Sequence, residues 1–244
     1  MASLLEVEGL VAGYGRMTIL NGTSFSVRPG TITTIVGPNG AGKSTVFKTL
    51  FGLLRPRAGR VTLEGRDITG LDPRRLLQAG LCYVPQGRNL FPELSVRHNL
   101  EIGGAALADA GSFPARIEAA FDRFPALRAK AEAQASTLSG GQQKLLEIAR
   151  GLLLEPRLLL IDEPSIGLSP LMVQEVFGLL DGLRRQDVTV LMVEQNARSA
   201  LALSDDGIVL EAGRTRLAGP AAAILADPRI GELFLGGGLA ESAA

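Results

Sequence analysis

The sequence predicts an α/β fold: a mostly parallel, doubly wound sheet flanked by helices, with an antiparallel β region at the N-terminus and an inserted helical subdomain. Three observations carry this prediction. The β-branched run Thr31-Ile32-Thr33-Thr34-Ile35-Val36 leads straight into Gly37-Pro38-Asn39-Gly40-Ala41-Gly42-Lys43-Ser44-Thr45, which fits G-x-x-x-x-G-K-[ST] without a gap. Residues 158–162 and 188–193 are short apolar runs, as strands buried on both faces require, and a helical stretch at 170–186 separates them. Between about Pro85 and Pro156 the composition turns to Ala, Leu, Glu and Arg, and residues 117–124 show helical periodicity.

Taken in order, a strand is expected at residues 4–11, followed by a turn at Ala12-Gly13-Tyr14-Gly15. A second strand at 22–27 stops at Arg28-Pro29-Gly30. The glycine-rich loop then opens a helix at 45–51, for which Gly52 is a stop signal. Strands follow at 60–64 and 81–84, with a helix between them started by Asp72 as N-cap and Pro73 at the first helical position. A helix is expected at 142–154, and the last segment gives strands at 207–211 and 215–218 with two short helices. The expected organisation is one domain over 1–244, its core formed by 1–86 and 156–244 and its helical subdomain by about 87–155.

Lys plus Arg and Asp plus Glu both number 25, so bulk charge gives no attraction for nucleic acid or an anionic membrane surface. The single cysteine, Cys82, lies in the apolar run Gly80-Leu81-Cys82-Tyr83-Val84 and reads as a buried small hydrophobe, consistent with a reducing cytosol. Met1-Ala2-Ser3-Leu4-Leu5-Glu6 lacks the basic region and apolar core of a secretory leader. The richest apolar stretch, from Gly151, is cut by Glu155-Pro156-Arg157, too soon for a membrane span. A membrane role would therefore act through a partner.

The loop at 37–45 specifies its own chemistry. Glycines at 37, 40 and 42 let backbone N–H groups turn inward around a polyphosphate. Lys43 brings a compact positive charge to the β- and γ-phosphates, Ser44 offers a hydroxyl to Mg²⁺, and the helix beginning near Thr45 aims its partial positive charge at the anion. Downstream, Leu158-Leu159-Leu160-Ile161-Asp162-Glu163 is a buried strand that delivers two carboxylates to the crevice at the C-terminal edge of the sheet. There Asp162 would reach the metal and Glu163 would polarise an attacking water. A third element, Leu138-Ser139-Gly140-Gly141-Gln142-Gln143, opens a helix with bare N–H groups; taken alone it is a helix cap.

The order of these three elements resembles the ATP-binding cassette (ABC) family of ATPases, and the likeness covers nearly the whole chain. The resemblance implies a RecA-like P-loop ATPase core and a head-to-tail pair of cassettes, with ATP held between the loop of one and the serine-glycine element of the other. Ser139, Gly140, Gly141 and Gln142 would then contact nucleotide bound to the partner cassette's loop. It further assigns Tyr14 to adenine stacking and Gln86 to sensing Mg²⁺ and water at the junction with the helical subdomain. Glu163, Lys43, Gln86 and Gln195 are thus the catalytic candidates, and Ser44, Gln86 and Asp162 the metal candidates.

Two departures stand out. The family's histidine after the last core strand is replaced by Gln195, which can donate a hydrogen bond but cannot become cationic, and the one histidine, His98, lies in the helical region as an expected surface or packing residue. The aspartate usual after the acidic strand is replaced by Ser169. Gly87-Arg88-Asn89-Leu90-Phe91-Pro92, Val193-Glu194-Gln195-Asn196-Ala197 and the tail Ala226-Asp227-Pro228 with Phe234-Leu235-Gly236 resemble an ATPase subunit of branched-chain amino acid importers. That likeness implies ATP and Mg²⁺ as cofactors, membrane permease subunits and a second ATPase subunit (different or identical) as partners, and a solute-binding protein acting indirectly. Its expected place is peripheral, at the cytoplasmic face of the membrane. A urea or amide importer, a lipid or polysaccharide exporter, and a non-transport cassette ATPase stay open as alternatives.

Overall fold

The computed structural model describes residues 3–87, 89–104 and 113–228. Five elements of the N-terminal part are strands: β1 (Leu5–Tyr14), β2 (Met17–Val27), β3 (Ile32–Val36), β4 (Ala58–Leu63) and β5 (Arg66–Asp67), with helix α1 (Lys43–Leu50) after β3. Helix α2 (Pro73–Gln78) and strand β6 (Leu81–Val84) lead into the helical insert of α3 (Val96–Gly104), α4 (Phe113–Arg123), α5 (Pro125–Arg128) and α6 (Gly140–Leu152). The chain returns through β7 (Leu158–Asp162), α7 (Pro170–Arg184), β8 (Thr189–Val193), α8 (Ala197–Leu203), β9 (Asp206–Glu211), β10 (Arg214–Pro220) and α9 (Ala221–Leu225).

Two sheets result. The first has the order β2-β1-β4-β5 and is antiparallel throughout. The second has the order β10-β9-β3-β8-β7-β6; its five strands from β9 to β6 are parallel, and β10 closes one edge as an antiparallel hairpin with β9. All residues of β3, β7 and β8 are buried, which explains runs with no alternating polar face. The parallel register sets Asp162 beside Val193 and Ile35 beside Val193, so the carboxyl ends of β3, β7 and β8 come level at one edge. The site is built on that edge.

One apolar core lies beneath α1, where Phe47, Leu10, Leu160 and Leu191 are buried, and a second joins the insert to the sheet through Phe121, Leu100, Leu146 and Ile161. Phe47 meets Tyr83 edge to face with ring centroids 5.9 Å apart, which props β6 against α1.

Most expected elements are present, with shifted ends. The turn expected at residues 12–15 is instead strand as far as Tyr14, and the reversal falls at Gly15 and Arg16. Gly13 serves the close approach of β1 to β2, since a Cβ there would lie 2.0 Å from the Met17 carbonyl oxygen. Helix α6 begins at Gly140, two residues earlier than expected, because Ser139 caps it. Asp72 caps α2 as expected, accepting from the Arg75 N–H at 3.0 Å. Arg88, Phe234, Leu235 and Gly236 lie outside the described residues.

Candidate functional site

Residues 37–45 form a loop from the end of β3 into α1 whose backbone only glycine allows. A Cβ on Gly37 would stand 2.2 Å from the carbonyl oxygen of Leu210, and Gly42 has φ +103°. Gly42 is also the N-cap of α1, so no side chain covers the first-turn N–H groups. Lys43 is buried, and its Nζ donates to the carbonyls of Gly37 at 2.7 Å and Pro38 at 3.1 Å, which holds the ammonium across the loop. Burial lowers its pKa, against the opposing pull of Glu163 and Asp162.

Asp162 ends β7 with 1% of its surface exposed. Ser44 Oγ faces its Oδ1 at 3.5 Å, and the Tyr83 hydroxyl donates to its Oδ2 at 3.1 Å. Burial raises the Asp162 pKa, and hydrogen bonds from Tyr83 and Ser44 oppose that rise. Glu163 follows with φ +48°, a left-handed turn that swings its carboxylate away from the strand direction. Its backbone N–H is tied to the Val193 carbonyl at 2.9 Å. Desolvation and then the neighbouring Asp162 charge raise its pKa. Gln86, just past β6, donates from Nε2 to Glu163 Oε2 at 2.7 Å. The Ser44 hydroxyl, the Asp162 carboxylate and the Gln86 amide oxygen are hard-oxygen donors of the kind Mg²⁺ accepts beside phosphates.

A further carboxylate, Glu194, stands one residue past β8 and is 1% exposed. Its Oε1 accepts from the Ser165 N–H at 2.8 Å, and its Oε2 accepts from Ser165 Oγ at 2.8 Å and from the Gln195 N–H at 3.1 Å. It therefore ties the segment after β7 to the segment after β8. Burial raises its pKa before those hydrogen bonds lower it. Neither Glu194 nor the Tyr83 hydroxyl was among the sequence candidates. The available signal was that Glu194 directly follows a buried apolar strand, as Glu163 does.

The fold thus brings Lys43, Ser44, Gln86, Asp162 and Glu163 together, with Gln195 exposed beside Glu194. Tyr14 lies at the end of β1, 47% exposed, with Lys48 Nζ 5.8 Å from its ring centroid. Ser139, Gly140, Gly141 and Gln142 lie elsewhere, at the start of α6. There Ser139 and Gln142 form a reciprocal capping box, and among the described residues none of the four is hydrogen-bonded to the loop at 37–45. Ser169 caps α7, accepting from the Met172 N–H at 3.4 Å. His98 is an exposed partner of Ser95, a surface residue, and Cys82 is buried with its thiol pushed up to about 12, in line with the buried small hydrophobe expected of it.

A phosphate loop on a parallel sheet edge, with two strand-end carboxylates across from it, is a nucleotide-hydrolysing arrangement. Comparison with known proteins agrees. The ABC transporter family pattern matches residues 20–166. A high-affinity branched-chain amino acid transport ATP-binding protein of Pseudomonas aeruginosa is 39% identical over 234 residues, 96% of this chain and 100% of the relative. A lipopolysaccharide export system ATP-binding protein of Acidithiobacillus ferridurans is 33% identical over 239 residues, covering 97% and 98% of the two chains. The crystal structure of the ADP conformation of an ATP-binding cassette from an ABC transporter superposes with a TM-score of 0.87 at 30% identity, covering 97% of this chain and 100% of that one. The loop at 37–45, the carboxylates that face it and these likenesses together make this chain a member of the ABC transporter family, an ATP-binding cassette that hydrolyses ATP.

Proposed function

We propose that this cassette powers the uptake of branched-chain or other hydrophobic amino acids through membrane permease subunits, working at the cytoplasmic face of the membrane beside a second ATPase subunit. The observation that carries the substrate class is the full-length likeness to branched-chain amino acid transport ATP-binding proteins of Pseudomonas aeruginosa and Archaeoglobus fulgidus, 39% and 38% identical. A lipopolysaccharide exporter ATPase is the second reading, favoured by a relative 33% identical over nearly the same length. Purifying the chain from native membranes in mild detergent separates the two. Two permease polypeptides with a second cassette support the importer, whereas copurified lipid-export components contradict it.

In the proposed reaction the loop 37–45 binds the ATP phosphates through its backbone N–H groups and Lys43, and Tyr14 stacks on the adenine. Ser44 and Asp162, with Gln86, would hold Mg²⁺, which neutralises developing charge on the phosphates when bound. Glu163 accepts the proton of the attacking water, and a carboxylate whose pKa is raised by burial and by Asp162 is a stronger base than an exposed one. Gln86 fixes the Glu163 carboxylate through the 2.7 Å contact, so water and base share one orientation. Gln195 would donate a hydrogen bond to the γ-phosphate without adding charge. Ser139, Gly140, Gly141 and Gln142 would complete the site of a partner cassette across a head-to-tail interface. The helical insert near Gln86 and Phe91 is the proposed docking surface for the permease subunits.

A further inference from the structure

Helix α6 carries a buried ion pair, Lys144 with Glu147, whose side chains are 7% and 3% exposed. Glu147 also reaches out of the helix. Its Oε1 accepts the backbone N–H of Asn89 at 2.8 Å, while Lys144 takes Oε2. Asn89 in turn wraps the segment behind it, for its Nδ2 donates to the carbonyls of Pro85 at 3.2 Å and Gly87 at 3.3 Å. Those two residues flank Gln86, which holds Glu163. Polar contacts joined by the backbone on either side of Gln86 therefore connect α6, the helix that Ser139 starts, to the proposed catalytic carboxylate.

A buried ion pair adds little net stability, and apolar residues of equal volume commonly replace one without loss. The feature that apolar residues could not reproduce here is the acceptor presented to Asn89. We infer that Glu147 is a positioning residue for hydrolysis: it anchors the Pro85–Gly87 turn to α6 so that Gln86 orients Glu163, and it transmits the placement of the Ser139 motif to the base. Lys144 holds the Glu147 carboxylate in place through Oε2, leaving Oε1 for Asn89. This inference rests on the catalytic reading of Gln86 and Glu163 given above.

The test compares two double variants of the full chain in its assembled transporter. K144M/E147Q and K144M/E147L both remove the buried charges, but only the first keeps an acceptor for the Asn89 N–H. The expected result is a kcat roughly tenfold or more higher in K144M/E147Q than in K144M/E147L, with KM for ATP and Tm alike in both. Equal kcat values, or a kcat loss matched by a fall in Tm, would overturn the inference. Should K144M/E147L fail to fold, Asn89→Ala keeps the backbone N–H that Glu147 accepts but removes the Nδ2 bonds to Pro85 and Gly87, and so cuts the next link between α6 and the Pro85–Gly87 turn. A lower kcat at unchanged Tm supports the inference, and an unchanged kcat overturns it. Glu163→Gln, assayed in parallel, separates the two levels. If it keeps wild-type turnover, the catalytic reading and this inference fall together; if it loses turnover while the double variants match, only the role of Glu147 falls.

Discussion

The loop at 37–45 and the Ser139 motif both start a helix with glycines, yet they treat the free N–H groups at that start in opposite ways. At α1 the N-cap is Gly42, with no side chain to offer, so the first-turn donors stay uncapped. At α6 Ser139 and Gln142 cap each other, with Ser139 Oγ accepting from the Gln142 N–H at 3.3 Å and Gln142 Oε1 accepting from the Ser139 N–H at 3.2 Å. Lys130 adds a third contact to Gln142 at 3.1 Å. The first helix start has no side-chain cap; at the second, the Gln142 N–H is already taken within its own chain. Under the proposed function, this difference separates the element that would bind nucleotide by itself from the one that would contribute only beside a second cassette.

The largest effect expected from this contrast is at Lys43. Lys43→Ala should abolish measurable ATP binding by the isolated chain, an affinity loss of roughly a hundredfold or more in calorimetric titration, because a buried charge-assisted contact to phosphate is removed. Ser139→Ala should leave that binding intact and lower turnover only in the assembled transporter, at a stability cost of about 1 kcal/mol for the lost cap. Equal loss of binding in both variants would erase the contrast.

The glycines sharpen it further. Gly37→Ala drives a Cβ against the Leu210 carbonyl, which the sheet fixes, whereas Gly141→Ala meets the Met172 side chain, whose Sδ would be 2.1 Å away but can rotate aside. Thermal unfolding should show a fall of about 3 kcal/mol for Gly37→Ala and about 1 kcal/mol for Gly141→Ala.

The smallest effect concerns pH. Burial holds the Glu194 carboxyl above its ordinary 4.5, so between 4.5 and its folded value the folded chain binds more protons than the unfolded one. The stability from this group is fully present below 4.5 and is lost as pH rises through the folded value. Glu194→Gln should flatten that part of the Tm-against-pH profile, while Asp162 and Glu163, shifted the same way by burial, keep the remaining slope.

How much of this was legible in the sequence follows from how local each cause is. The runs Leu81-Cys82-Tyr83-Val84 and Leu158-Leu159-Leu160-Ile161-Asp162 became strands with the expected limits, because continuous apolar residues between turn signals leave no alternative face to expose. The loop 37–45 was legible because its constraint is steric and contiguous. Residues 12–14 were misread as a turn, since Gly13 carries the same residue type for a different reason, the approach of a neighbouring strand. Tyr83 and Glu194 were not found because their roles depend on Asp162 and Ser165, which are 79 and 29 residues away and brought near only by the register of the sheet. Gln86 was singled out only through family resemblance, and its contact with Glu163, 77 residues away, was not foreseen.

Single-turnover hydrolysis by Glu163→Gln decides whether Glu163 is the base of the ATP-hydrolysing site, as proposed. The variant should bind ATP at wild-type affinity with turnover reduced by roughly a hundredfold or more. Wild-type turnover in that variant would contradict it.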